Sequence, residues 1–87
     1  MITIWKFPLD LGVENVVNID RFARVVMTAI DPDSGRPALW FEHNPHGQKA
    51  DRKIVIFGTG VDIQGPAHSH MGSVIDGPLV WHIYERN

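Results

Sequence analysis

The sequence contains no cysteine. Disulfides, thiolate metal sites and cysteine nucleophiles are therefore excluded together. No apolar run approaches the roughly 18 residues that a membrane-spanning helix needs, so no membrane partner is expected. A basic excess is also missing. Eight Lys and Arg stand against ten Asp and Glu, a formal net charge of −2, whereas a duplex binder carries a basic patch. The nearest basic grouping, Lys49, Arg52 and Lys53, has Asp51 inside it. Duplex nucleic acid is thus not an expected partner, but two or three cations suffice for a small anion. There is no internal repeat and no low-complexity tract. The start, Met1-Ile2-Thr3-Ile4-Trp5-Lys6-Phe7-Pro8, shows neither the basic region nor the small-residue cleavage site of a secretory signal. The expected location is cytoplasmic.

What is present is an ordinary folded composition over residues 1–87, 44% hydrophobic and 21% charged, in a length that makes a single domain. A chain this short buries only about 60–65% of the surface it exposes when unfolded. Without staples it needs an efficient core or partner subunits. Eight Gly and six Pro fall between short apolar runs, the pattern of many short strands.

Ile2–Phe7 reads as a first strand stopped by Pro8, and Asn15–Ile19 as a second. Ile19–Ile30 fits helical spacing at Phe22, Val25, Val26 and Ala29, but its β-branched pair favours a strand with Ala23, Val25, Met27 and Ala29 on one face. Asp31-Pro32-Asp33-Ser34-Gly35-Arg36-Pro37 is turn chemistry leading to a strand at Ala38–His43. Asn44–Asp51 reads as a loop. Arg52–Thr59 sends Ile54 and Ile56 one way and Val55 and Phe57 the other, as in a central strand covered on both faces. Gly58–His70 reads as a second long loop and Met71–Ile75 as a short strand. Asp76-Gly77-Pro78 then turns into a last strand, Leu79–Glu85. The expected fold is all-β, a small antiparallel sandwich or barrel of about seven short strands. Its two-faced apolar strands exceed what two sheets cover, which predicts a homo-oligomer.

Histidine is abundant, at five residues. His68-Ser69-His70 has the spacing of two ligands on one strand face, as at the start of a cupin metal motif. No Glu follows within reach, and Gly65-Pro66-Ala67 favours a loop, so no metal or other cofactor is expected. His82 alternates with Val80 and Tyr84; it is either a core histidine bonded to a hydroxyl or carbonyl, or a pocket residue beneath Gly58–Gly60. Gly58-Thr59-Gly60 offers amides and a hydroxyl to an anion but lacks the Lys-Ser/Thr ending of a phosphate loop. It equally serves as a sharp turn. Trp5 and Trp81 are expected in the core. Trp40 packs in the core or stacks outward beside Phe41 and His43. Ser34 and Ser73 lack a His and acid at nucleophile spacing, so no catalytic residue is assigned.

Four segments carry a family likeness: Ile4-Trp5-Lys6-Phe7-Pro8-Leu9, Leu39-Trp40, Gly58-Thr59-Gly60 and Leu79-Val80-Trp81-His82-Ile83-Tyr84-Glu85. In that order they resemble a family of short tailed-bacteriophage proteins classed as a domain of unknown function. The usual proline-glycine turn is absent at Ile19-Asp20-Arg21-Phe22-Ala23. The resemblance implies a phage-encoded protein of the host cytoplasm and brings no catalytic residues. The expectation is a non-enzymatic binding protein, a counter-defence inhibitor that sequesters a small anionic ligand such as a signalling nucleotide or blocks a host protein. Its ligand residues would be Trp40, His43, Arg52, Lys53, Gly58, Thr59, Gly60, His68 and His70. The alternatives are a virion accessory or assembly subunit, and a metal-dependent enzyme using His68 and His70.

Overall fold

The computed structural model describes residues 1–65 and 68–86. It contains β1 (Thr3–Pro8), β2 (Asn15–Asp20), β3 (Arg24–Ile30), β4 (Pro37–His43), β5 (Lys49–Gly58), β6 (His68–Asp76) and β7 (Leu79–Arg86). Every pairing is antiparallel. The strands form two sheets, ordered β1-β4-β3 and β2-β5-β7-β6. The fold is all-β, as expected, but not a closed barrel. No described helix is long and apolar enough to cross a membrane.

The core lies between the sheets. Leu39 and Phe41 of β4 meet Val17, Ile19, Ile54, Val74 and Ile83 of the other sheet. β5 is central, between β2 and β7, and both Ile54 and Val55 are buried, as its two-faced alternation predicts. It begins earlier than expected, at Lys49. Two ties hold the sheets together. Arg52 of β5 donates twice to the Glu85 carboxylate at 2.8 Å, bonds the Ala23 carbonyl, and lies 5.1 Å from the Phe41 ring centroid. At the β3–β6 edge, the Thr28 hydroxyl donates to the Ser73 carbonyl at 3.0 Å.

Local chemistry sets the turns. The Asp31 carboxylate accepts from Lys6 Nζ at 2.9 Å and Ser34 Oγ at 2.7 Å, which holds its pKa at about 2. Lys6 also donates to Asp33 at 3.0 Å, and the two aspartates raise the pKa of Lys6. Asp20 accepts from the Phe22 and Asn44 amides, each at 3.1 Å, which lowers its pKa. A Cβ at Gly47 would fall 2.8 Å from this carboxyl, so glycine is required where the two loops meet. Gly77, at φ 58°, begins the two-residue turn between Asp76 and Leu79. With Pro78 second, only a turn with positive φ at its first position fits.

Two bulges correct the sequence reading. The β3–β4 register shifts between Val25 and Met27, so one extra residue, Val26, reverses the alternation after it. Ala23, Val25, Met27 and Ala29 therefore do not share a face. Val25 packs on the core, while Met27 is 47% exposed. Phe22, an apolar position of the helical alternative, is an exposed turn residue. In β6 the register shifts between His70 and Gly72, and Met71 packs on the core. This strand starts at His68, where a loop was expected. The loop reading of Pro66 and Ala67 lies outside the described residues.

Candidate functional site

The candidate site is the outer face of the four-stranded sheet. Alternation along β7 sends His82, Tyr84 and Arg86 to that face. Registers with β5 and β6 complete three cross-strand rows: Phe57–His82–Ser73, Val55–Tyr84–His70 and Lys53–Arg86–His68. The Met71 bulge places His70 and Ser73 together on this face, although they are three residues apart.

β5 and β6 are each antiparallel to β7, which separates them. They therefore run parallel, and the chain between them must return along the sheet. Residues 59–65 lie across the outer face. Gly60, at φ 89°, helps turn the chain out of β5. Val61 and Ile63 then border an open depression of about 220 Å³ with Phe57, His82, Tyr84 and the Gly58–Gly60 turn.

His82 engages a hydroxyl at each ring nitrogen, Thr59 Oγ1 at 2.8 Å from Nε2 and Ser73 Oγ at 3.0 Å from Nδ1. Ser73 continues to His70 Nε2 at 3.3 Å. A neutral imidazole donates at one nitrogen and accepts at the other, and a hydroxyl can do either. Thr59, His82, Ser73 and His70 thus form a chain whose proton directions reverse together. His82 is half-buried on the outer face and not in the core, so the core reading fails; it is bonded to hydroxyls and lies beside the Gly58–Gly60 turn. Tyr84 lies at the centre, with ring centroids 5.9 Å from Phe57, 6.1 Å from His68 and 5.1 Å from His70. Beyond it, Arg86 donates to Glu14 at 2.9 Å and to His68 Nε2 at 3.4 Å.

Lys53, Gly58, Thr59, Gly60, His68 and His70 therefore gather on or beside one face. Three other sequence candidates do not. Arg52 faces the core and is committed to Glu85. Trp40 is half-buried on the outer face of the other sheet, opposite Lys6 and Met27. His43 is 2% exposed, with its ring 4.1 Å from Trp5 and both nitrogens unpartnered. The core expectation also fails for Trp5, which is 42% exposed with the Lys49 ammonium 5.6 Å from its ring. Trp81 is half-buried beside Gly58.

Sequence reasoning missed Phe57, Ser73, Tyr84 and Arg86 as site residues. The spacing of His82, Tyr84 and Arg86 was a usable signal, whereas Ser73 needed the bulge. The His68–His70 pair shares its face with Tyr84, and Arg86 beside His68 opposes a second cation. Among the described residues, no group of three or more His, Asp or Glu converges as a metal site.

The chain matches, over residues 1–87, the family described as Domain of unknown function (DUF7352), and the protein belongs to that family. No curated protein and no solved structure matches it.

Proposed function

We propose that this is a phage-encoded, non-enzymatic binding protein that acts in the host cytoplasm by sequestering a small anionic ligand, a nucleotide in the first instance. One observation carries the binding reading: the 59–65 segment borders an open, ring-sized depression over the Tyr84–His82 face, with Lys53 and the Glu14-paired Arg86 in the neighbouring row. The phage origin and host location rest on the sequence likeness described above.

The depression is smaller than the roughly 300–1,000 Å³ of common ligand pockets. It suits one planar ring against Phe57 and Tyr84, with the charged remainder lying along His70, His68 and Arg86. The Gly58–Gly60 backbone and the Thr59 hydroxyl supply polar contacts at the rim. The His82 chain can match either a donor or an acceptor because its proton directions reverse. Among the described residues His82 bonds two hydroxyls and Ser73 bonds two imidazoles, and we read this arrangement as one for capture.

Thermal-shift measurements with cyclic mono- and dinucleotides test this. The expected result is a raised Tm for one ligand class, lost in Tyr84→Ala and Arg86→Ala. Failure of every nucleotide at millimolar concentration would overturn nucleotide capture in favour of a protein target. Stoichiometric copies in purified particles would overturn the host-acting role.

A further inference from the structure

We propose that the outer face of the three-stranded sheet is a docking surface for a second copy of this chain. This inference is independent of the ligand site. The registers of β1, β4 and β3 lay out three rows: Ile4–Glu42–Arg24, Lys6–Trp40–Met27 and Pro8–Ala38–Ala29. Ile4 is 55% and Met27 47% exposed, and Trp40 lies near the centre. Lys6 reaches past the lowest row to Asp31 and Asp33 in the β3–β4 turn. No described segment crosses this face as the 59–65 segment crosses the other sheet.

The charges at its two ends select the occupant. At one end the Arg24 side chain is 74% exposed and meets Glu42 at 3.5 Å. At the other, the Asp33 side chain is 83% exposed. Four levels run along the face: the Arg24 row, the Trp40 row, the Ala38 row and the Asp33 turn. A two-fold axis between the second and third levels stacks Arg24 of each copy on Asp33 of the other. The same operation lays Trp40 of each copy over the Ala38 row of the other, which the stem of Lys6 passes on its way to Asp31 and Asp33. One isologous contact thus matches charge and shape together. A face three strands wide gives an interface at the small end of specific contacts, so the dimer is expected to depend on concentration.

Sedimentation velocity from micromolar to millimolar protein tests the proposal, with circular dichroism to confirm folding. The wild type is expected to pass from monomer to dimer. Trp40→Glu should remain monomeric. Arg24→Asp should weaken the dimer at least tenfold, and adding Asp33→Arg should restore it. The charge exchange keeps the test decisive if Trp40→Glu fails to fold. A wild type that stays monomeric throughout, or a dimer indifferent to Arg24→Asp, would overturn the proposal, as would a double variant no tighter than Arg24→Asp.

Discussion

The two outer faces of this protein begin from similar strand chemistry and end differently. Each has a large aromatic near its centre, Trp40 on one sheet and Tyr84 on the other. Around Trp40 lie Ile4, Met27 and a salt-bridged lysine; around Tyr84 lie histidines, hydroxyls and a bordering segment. Connectivity makes the difference. β3 and β4 are antiparallel neighbours in sequence and need only a turn. β5 and β6 lie parallel on either side of β7, so their connection must traverse a face. A pocket forms where the chain is obliged to cross, while the uncrossed face retains exposed apolar groups.

The largest test removes what the faces share. Phe41→Ala empties a fully buried site between the sheets and should cost about 3–5 kcal/mol in urea unfolding. A second variant breaks the junction at the β3–β6 edge. A Cβ at Gly72 would lie 2.6 Å from Thr28 Cγ2, so Gly72→Ala should cost about 1–3 kcal/mol. Adding Thr28→Ala should recover only part of that: it removes Cγ2, but Thr28 Cβ stays 3.2 Å from the new methyl, φ at Gly72 stays at 155°, and the hydroxyl bond to Ser73 is lost; a double-mutant cycle reads the coupling.

Acid should expose the electrostatic anchor of the three-stranded sheet. The Asp31 pKa falls from 3.8 to about 2 on folding, with hydrogen bonding from Lys6 the largest cause. Its stabilisation is therefore fully present above about pH 4 and is lost as pH falls from 3.8 toward 2. Lys6→Met should flatten this dependence in unfolding measured across that range. The smallest stability change is expected on the other face. Thr59→Val should cost no more than about 1 kcal/mol, yet change the His82 Nε2 chemical shift in NMR and weaken nucleotide capture.

Much of the framework was legible because alternation reports burial directly. Val55 and Ile54 announced a central strand, and Asp76-Gly77 announced a hairpin. Glycines at Gly58–Gly60 marked the exit from β5. The errors of face share a cause: a bulge changes which face receives each later residue while leaving composition unchanged. Val26 sent Met27 outward, and Met71 brought Ser73 beside His70. Arg52 looked available for a ligand because sequence does not show that Glu85, 33 residues away, takes two of its donors and the Ala23 carbonyl a third.

By itself, the sequence determined an all-β chain without disulfides, most strand positions, and a supply of histidines and glycines near the β5–β6 connection. Those properties follow from local conformational preference and the two-residue period of strands. Only the tertiary structure decided which aromatic face would be covered and which histidines would meet a hydroxyl. Strand order and register arise from the packing of distant segments, so one bulge or one crossover reassigns side chains that local preference treats alike.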